Sequence, residues 1–243
     1  MRFLVFFSIL FSSSSIFADA YFELYQNAGW PQQQVHFSSA VQQAQLRYKD
    51  TLPQAIYQAL VDSSNKRFAA QAMQQRGQRA LRQHLNSPTP ALDFFNSSTG
   101  KKVRDAEVAA SHPQQLPRYT AGLPTIEADA TRRLLIRHLA NALPASEAGA
   151  EVTLALGSIA ADSLSQMLPG LMAAQQANAL LDSQRQRLIS QINPNIDNSL
   201  LYIYQDLSDA ELEEFVSFAQ SEQGQAYYQA ALKALQASLR DNP

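Results

Sequence analysis

Cysteine is absent from the 243-residue chain. This absence excludes disulfide bonds, thiolate metal sites, cysteine nucleophiles and a lipid-modified N-terminal cysteine. Charged residues are scarce, at 16% with a net charge of −2, whereas average proteins contain about 25%. A chain so close to neutral has no general attraction to nucleic acid or to anionic lipid. Eight glycines and 11 prolines are too few for a collagen-like or linker-dominated chain.

Helix-forming residues are abundant instead. The chain contains 37 Ala, 30 Leu and 28 Gln, and all three residue types favour helices. Apolar residues recur three or four positions apart, as along one face of a helix. The clearest examples are Leu135, Ile136, Leu139 and Leu143, and then Tyr228, Leu232, Leu235 and Leu239. No stretch alternates with a period of two. We therefore predict an all-α fold of short amphipathic helices packed as a bundle, with one helix capped by Thr125 and stopped at Pro144.

The first 20 residues have the pattern of a secretory signal peptide. Arg2 precedes an apolar run over 3–11, and Ala18 and Ala20 place small residues at the −3 and −1 positions of a cleavage site. The run is shorter than the roughly 20 residues that span a bilayer. We therefore predict that residues 1–20 are a signal peptide cleaved after Ala20, and that burial alone holds the exported, cysteine-free fold.

A proline-rich segment divides the remaining chain. Residues 113–124 contain three prolines and one glycine, and they lack helical periodicity. We interpret them as a linker between a first helical unit, 21–112, and a second, 125–243. Residues 21–120 carry 11 basic and 6 acidic side chains, whereas residues 121–243 carry 7 and 14. Opposite net charges predict attraction between the two halves or between molecules.

A short motif occurs once in each half, at a constant offset of 124 residues. Its first copy consists of Phe94, Phe95, Ser97, Gly100 and Lys102, and its second of Phe218, Ser221 and Gly224, preceded by Ser208, Glu211 and Leu212. The spacing of Ser208 and Glu211 predicts a capping box. Ser221 is expected to cap the next helix, and Gly224 to let that helix cross its predecessor closely. We therefore predict two tandem, related helical units.

The motif resembles the pattern of domain of unknown function family 2059 (DUF2059), a set of exported bacterial helical domains. That pattern is a Ser/Thr-x-x-Glu-Leu cap followed by an aromatic pair, Ser, Gly and Lys. The second copy departs from it at Ala219 and Ala226, and the first has Pro90 and Ala91 in place of Glu-Leu. The resemblance implies a helical fold and export in a Gram-negative bacterium, and it implies no established activity.

Residues suited to chemistry are not grouped in the sequence. No histidine lies near Ser97 or Ser221, as a serine nucleophile would need, unless the fold brings one close. The four histidines have no metal-ligand spacing; they are His36, His84, His112 and His138. The acidic run over 206–214 lacks the turn glycine of a calcium loop. We predict no catalytic, cofactor-binding or metal-binding residue, and we assign the motif residues a structural role.

Two surfaces leave alternatives open. Basic residues recur over 66–82, and they form either a solvated helix face or a contact with the acidic second half of the chain or with an acidic partner. The apolar stretch 152–172 holds a single charge, Asp162. It reads as a buried central helix, as an oligomer or partner surface, or as a membrane contact, which Asp162 and Pro169 disfavour.

From these patterns we expect an exported periplasmic protein that acts by binding, as a non-catalytic scaffold or chaperone-like module. Its partner would be an unidentified protein of the cell envelope, with no nucleic acid and no cofactor, and a homo-oligomer stays open. Two alternatives remain at this point. One is an envelope hydrolase whose serine and histidine meet only in the fold, and the other is a peripheral membrane protein anchored through 152–172.

Overall fold

The computed structural model describes residues 14–115, 117–118, 122–160 and 174–240. Within these ranges the chain folds into α-helices and contains no β-strand, which confirms the all-α prediction. The helices are α1 Ser14–Asn27, α2 Trp30–Leu46, α3 Gln54–Arg67, α4 Ala70–His84, α5 Thr89–Asn96, α6 Ser98–Ala110, α7 Ala130–Ala142, α8 Ala145–Gly157, α9 Ala174–Ile192, α10 Ile196–Ile203, α11 Asp209–Gln220 and α12 Glu222–Leu239, with a short 3₁₀ turn over Asn193–Asn195.

Helix α11 shows how local sequence determines a helix start. The Ser208 hydroxyl accepts a hydrogen bond from the Glu211 amide, and the Glu211 carboxylate accepts one from the Ser208 amide at 2.8 Å. Leu207 and Leu212, on either side of this capping box, are both buried. From Leu212 the buried face continues through Phe215 and beyond, so a capped start and an apolar stripe together define the helix.

Helix α7 starts later than the sequence predicts. Thr125 is not its N-cap, because the helix begins at Ala130 and the Asp129 carboxylate accepts a hydrogen bond from the Arg132 amide. Residues 122–129 lie outside any helix, and we call this segment the strap. Asn198 on α10 bonds to the strap twice, accepting from the Ile126 amide at 2.9 Å and donating to the Pro124 carbonyl at 3.0 Å. The strap thus makes hydrogen bonds to Asn198 where the prediction expected the first turn of a helix.

The main hydrophobic cluster draws on helices from both sides of the proline-rich segment. Its buried members include Leu24, Leu81, Phe95, Ile136, Leu212 and Phe215. Helix α4 packs along α12, so the last described helix lies against one from the first half. A second cluster joins Leu60 and Phe68 to Ile159 and Leu239. The unit boundaries and the tandem relation stay predictions, and both halves contribute to each cluster.

Parts of two predictions fall outside the described residues. Residues 1–13 of the predicted signal peptide lie outside them, and Ala20 lies within α1. Residues 161–172 of the apolar stretch are also outside. Of its described part, Ile159 is 1% exposed and packs in the second cluster. Among the described helices, none combines the length and the hydrophobicity needed to cross a bilayer.

Candidate functional site

The two motif copies form the same type of helix corner. The Ser97 hydroxyl accepts a hydrogen bond from the Gly100 amide at 3.0 Å, where α5 turns into α6. The Ser221 hydroxyl accepts one from the Gly224 amide at 3.0 Å, where α11 turns into α12. Both serines are therefore N-caps, and each satisfies a backbone donor that the first helical turn leaves free.

Each corner also depends on its glycine. A Cβ atom built on Gly100 would lie 1.9 Å from the carbonyl oxygen of Phe94, and one on Gly224 would lie 1.9 Å from that of Phe218. Real Cβ atoms do not come so close to backbone atoms. The missing side chain thus permits the close crossing of consecutive helices that the sequence predicts for Gly224.

The two corners face each other in the core. The rings of Phe94 and Phe218 stack with centroids 4.1 Å apart and planes 8° from parallel. These two residues are equivalent in the repeat. Phe95 makes an edge contact with Tyr227, and Lys102 on α6 forms an ion pair of 2.5 Å with Glu211 on α11. The motif residues therefore join the two halves, and an edge contact such as that of Phe95 with Tyr227 stabilises a core beyond its buried area.

Glu211 takes part both in the capping box of α11 and in the ion pair with Lys102. The ammonium of Lys102 first, and then the amide and hydroxyl of Ser208, lower the pKa of Glu211 to about 2. Its carboxylate thus stays ionised while it completes the capping box and pairs across the halves.

Two residues of the basic stretch bind the end of α12. The Arg67 guanidinium donates to the Leu239 carbonyl at 2.9 and 3.1 Å. The Arg76 guanidinium donates to the carbonyls of Ala237 at 3.2 Å and Ser238 at 2.7 Å. The last carbonyls of a helix lack helical partners and carry partial negative charge, which suits two cations. The basic stretch therefore does contact the second half, although the acceptors are backbone carbonyls.

A buried carboxyl group lies where three helices meet. Glu107 on α6 accepts a hydrogen bond of 2.9 Å from the hydroxyl of Tyr204, which follows α10. The residue is half-buried overall, and burial of its carboxyl group raises the pKa of Glu107 to about 7. Burial, together with the charge of Glu107, raises the pKa of Tyr227 and Tyr228 on α12. The Tyr228 hydroxyl is buried and has no hydrogen-bond partner.

Two histidines that are distant in sequence meet in the fold. The rings of His36 and His112 contact edge to face with centroids 4.9 Å apart, and His36 Nδ1 lies 2.9 Å from the Ser111 hydroxyl. Burial, and then the neighbouring His112, lower the pKa of His36. Over the described ranges, no group of three or more His, Asp and Glu side chains is arranged to hold a metal ion.

A groove of about 660 Å³ lies between the strap, α7 and α10. Ile136 and Leu201 line it and are buried, whereas Leu134, also on the lining, is 58% exposed. Asp197 lines the groove too: one carboxylate oxygen pairs with Arg137 at 2.5 Å, and the other, Oδ1, is buried without a partner. The groove thus has apolar side chains on its lining together with the charged side chains of Arg133, Arg137 and Asp197.

Sequence reasoning missed this groove. One signal was present, since Leu134 lies beside the apolar stripe of Leu135 and Ile136 and no helix face required it. The contribution of Asp197 depends on packing between segments at least 60 residues apart, which no local pattern reveals.

Comparison with known proteins assigns no role to the site. No protein-family model, no curated protein and no solved structure matches the chain. Two features stand out among the described residues: the paired corners, whose contacts are internal, and the strap groove, which opens to the surface.

Proposed function

We propose that this chain is an exported, periplasmic and non-catalytic protein of DUF2059 type that works by binding another molecule. The observation that carries the proposal is the strap groove, where apolar side chains lie beside the charged side chains of Arg133 and Asp197. Pockets that bind ligands combine apolar walls with a few polar groups that set orientation. The motif serines support the same view, because both hydroxyls are engaged as helix caps.

Export is tested first. Expression of the full chain in a Gram-negative host, followed by cell fractionation and N-terminal sequencing, is expected to give a periplasmic protein that begins at Tyr21. An uncleaved chain in the cytoplasm would contradict this part of the proposal.

Binding without catalysis is tested on the mature protein. Immobilised protein is expected to retain a specific partner from a periplasmic extract, and the purified protein is expected not to turn over generic ester or peptide substrates. The rival is an envelope hydrolase. Turnover that disappears in Ser97→Ala or Ser221→Ala, with the fold intact by circular dichroism, would overturn the proposal in favour of that rival.

A further inference from the structure

The hydrogen bonds around His36 and His112 determine where each ring carries a hydrogen. The Ser111 hydroxyl donates to the Val108 carbonyl at 2.8 Å, so it accepts the hydrogen bond of 2.9 Å from His36 Nδ1. His112 Nδ1 accepts a bond of 3.3 Å from the Gln114 amide. A ring nitrogen that accepts carries no hydrogen, so the His112 ring is neutral while this bond exists.

The charged groups around His36 disfavour its protonation. Helix α2 itself contains no Asp, Glu, Lys or Arg. On α6, Arg104 lies beside the residue that precedes α2 and pairs with Asp105, and the Glu107 carboxyl group accepts from a tyrosine that follows α10. Burial lowers the pKa of His36 first and the charge of His112 second, and a backbone carbonyl of α6 acts in the opposite direction. Among the described residues of α1, α3, α4 and α8, which also pack on α2, no charged group shifts this pKa.

Acid therefore acts on this contact in two ways. A proton on His112 Nδ1 removes the acceptor of the Gln114 amide and sets one N–H group against another. Positive charges on both rings, whose centroids are 4.9 Å apart, repel each other. Pro113, which lies between these two residues in the chain, is buried. Separation of the turn from α2 consequently exposes an apolar residue.

We propose that His36, Ser111 and His112 form a pH-sensitive switch, which holds residues 111–115 against α2 at neutral pH and releases them in mildly acidic solution. The sign follows from linkage. The folded state binds the proton of His36 less tightly than the ordinary pKa of 6.5 requires, so stability from this contact is present above pH 6.5 and is lost as the pH falls through the lower folded pKa. The switch goes beyond the proposed binding function, because it needs no ligand.

NMR spectroscopy of the purified, ¹⁵N-labelled protein between about pH 8 and pH 5 tests the switch. We expect Overhauser contacts between the rings of His36 and His112 at the upper pH and their loss at the lower. The Gln115 amide donates to the His112 carbonyl at 2.8 Å, and its hydrogen exchange, corrected for the intrinsic effect of pH, is expected to rise about five-fold or more on acidification. The capped amides of Gly100 and Gly224 are expected to keep their shifts, because the core stays folded.

Single variants separate the switch from other titrating groups. His112→Gln keeps a polar side chain and removes one charge. It is expected to raise the pKa of His36 and to reduce the acid response of the Gln115 amide to less than about two-fold. His84→Gln, at an exposed position of α4, and Glu107→Gln, at the buried carboxyl group, are the controls, and both are expected to keep the parent's response.

Three results would overturn the proposal: an unchanged pKa of His36 in His112→Gln, ring contacts that survive in acid, or a response that disappears in Glu107→Gln. Loss of the folded signals of Gly100 and Gly224 over the same pH range would overturn it as well, since it would show global unfolding in place of a local release.

Discussion

At Gly100 and Gly224 a single hydrogen atom occupies the place of a side chain, and both corners depend on it. We predict that Gly100→Ala and Gly224→Ala each lower the free energy of unfolding by about 2–4 kcal/mol, because the new methyl group would meet a carbonyl oxygen of the preceding helix. Urea denaturation followed by circular dichroism measures this loss. Gly157→Ala is the control, since no described atom lies within 4 Å of its added Cβ, and a change within about 0.5 kcal/mol is expected there. Equal effects at all three glycines would contradict the explanation.

Glu107 makes stability depend on pH. Its pKa is about 7 in the fold against 4.5 without burial, so the folded state binds the proton more tightly. Stability from this group is fully present below pH 4.5 and is lost as the pH rises toward 7. We predict that Glu107→Gln stabilises the protein at pH 8 by up to about 3 kcal/mol and removes this slope.

Denaturation midpoints from pH 4.5 to 8 measure the effect. The exposed Glu213→Gln is the matched control, and it is expected to keep the slope of the parent. A Glu107→Gln variant with the parent's slope would show that other groups govern the pH dependence.

Residue roles were predictable from sequence where the cause is local. The caps at Ser208 and Ser221 need only a neighbour three residues away, so spacing indicated them. The environment of Glu107 arises from Tyr204, Tyr227 and Tyr228, which lie about one hundred positions along the chain. Its position on a helix gave no sign of this, because burial by distant segments leaves no local pattern.

At the scale of elements, the repeat is unequal. Helix α5 has 8 residues and α11 has 12, a difference of about one turn. In the first copy Pro90 stands in place of the glutamate, and in the second copy Ala226 stands in place of Lys102. The Lys102–Glu211 pair consequently has no mirror image.

The C-terminal end of α12 depends on one side chain, that of Arg76, for hydrogen bonds to two of its carbonyls. We predict that Arg76→Met lowers the free energy of unfolding by about 2 kcal/mol, because it leaves the carbonyls of Ala237 and Ser238 without their charged donor. Hydrogen exchange in the last turn of α12 is expected to accelerate, and urea denaturation gives the energy. Arg79→Met, the control, alters an exposed position of α4, the helix that carries Arg76. Its free energy of unfolding is expected to stay within about 0.5 kcal/mol of the parent. An unchanged exchange rate in Arg76→Met would refute the capping role.

The apolar periodicity of the sequence correctly predicted helices, but it did not predict where α7 begins. The stripe through Leu135, Ile136 and Leu139 correctly indicated α7. Its N-cap was predicted at Thr125, four residues before the observed cap Asp129, because Thr is a common cap and the bonds from the distant Asn198 leave no sign in the local sequence. A tertiary side chain that competes for backbone groups overrides local preference at such a position.

At the scale of the molecule, the two halves share their core. We predict a single cooperative unfolding transition, and we predict that cutting the chain at a protease site inserted after the exposed Gly122 leaves both fragments associated. The reason is that the stack of Phe94 on Phe218 and the packing of α4 on α12 cross the cut. Size-exclusion chromatography and calorimetry measure the two outcomes. Fragments that elute separately and melt independently would show two self-sufficient units instead.

The pairing of α4 with α12 also sets the order in which the molecule is completed. Contacts such as that of Arg76 with the Ala237 carbonyl cannot form until Ala237 is synthesised, more than 150 residues after Arg76. A growing chain therefore keeps the apolar face of α4 uncovered until α12 has been synthesised, and closure depends on contacts of long sequence separation, which form slowly. Chains truncated within α12 are therefore expected to expose the apolar face of α4 and to be degraded faster than the full chain.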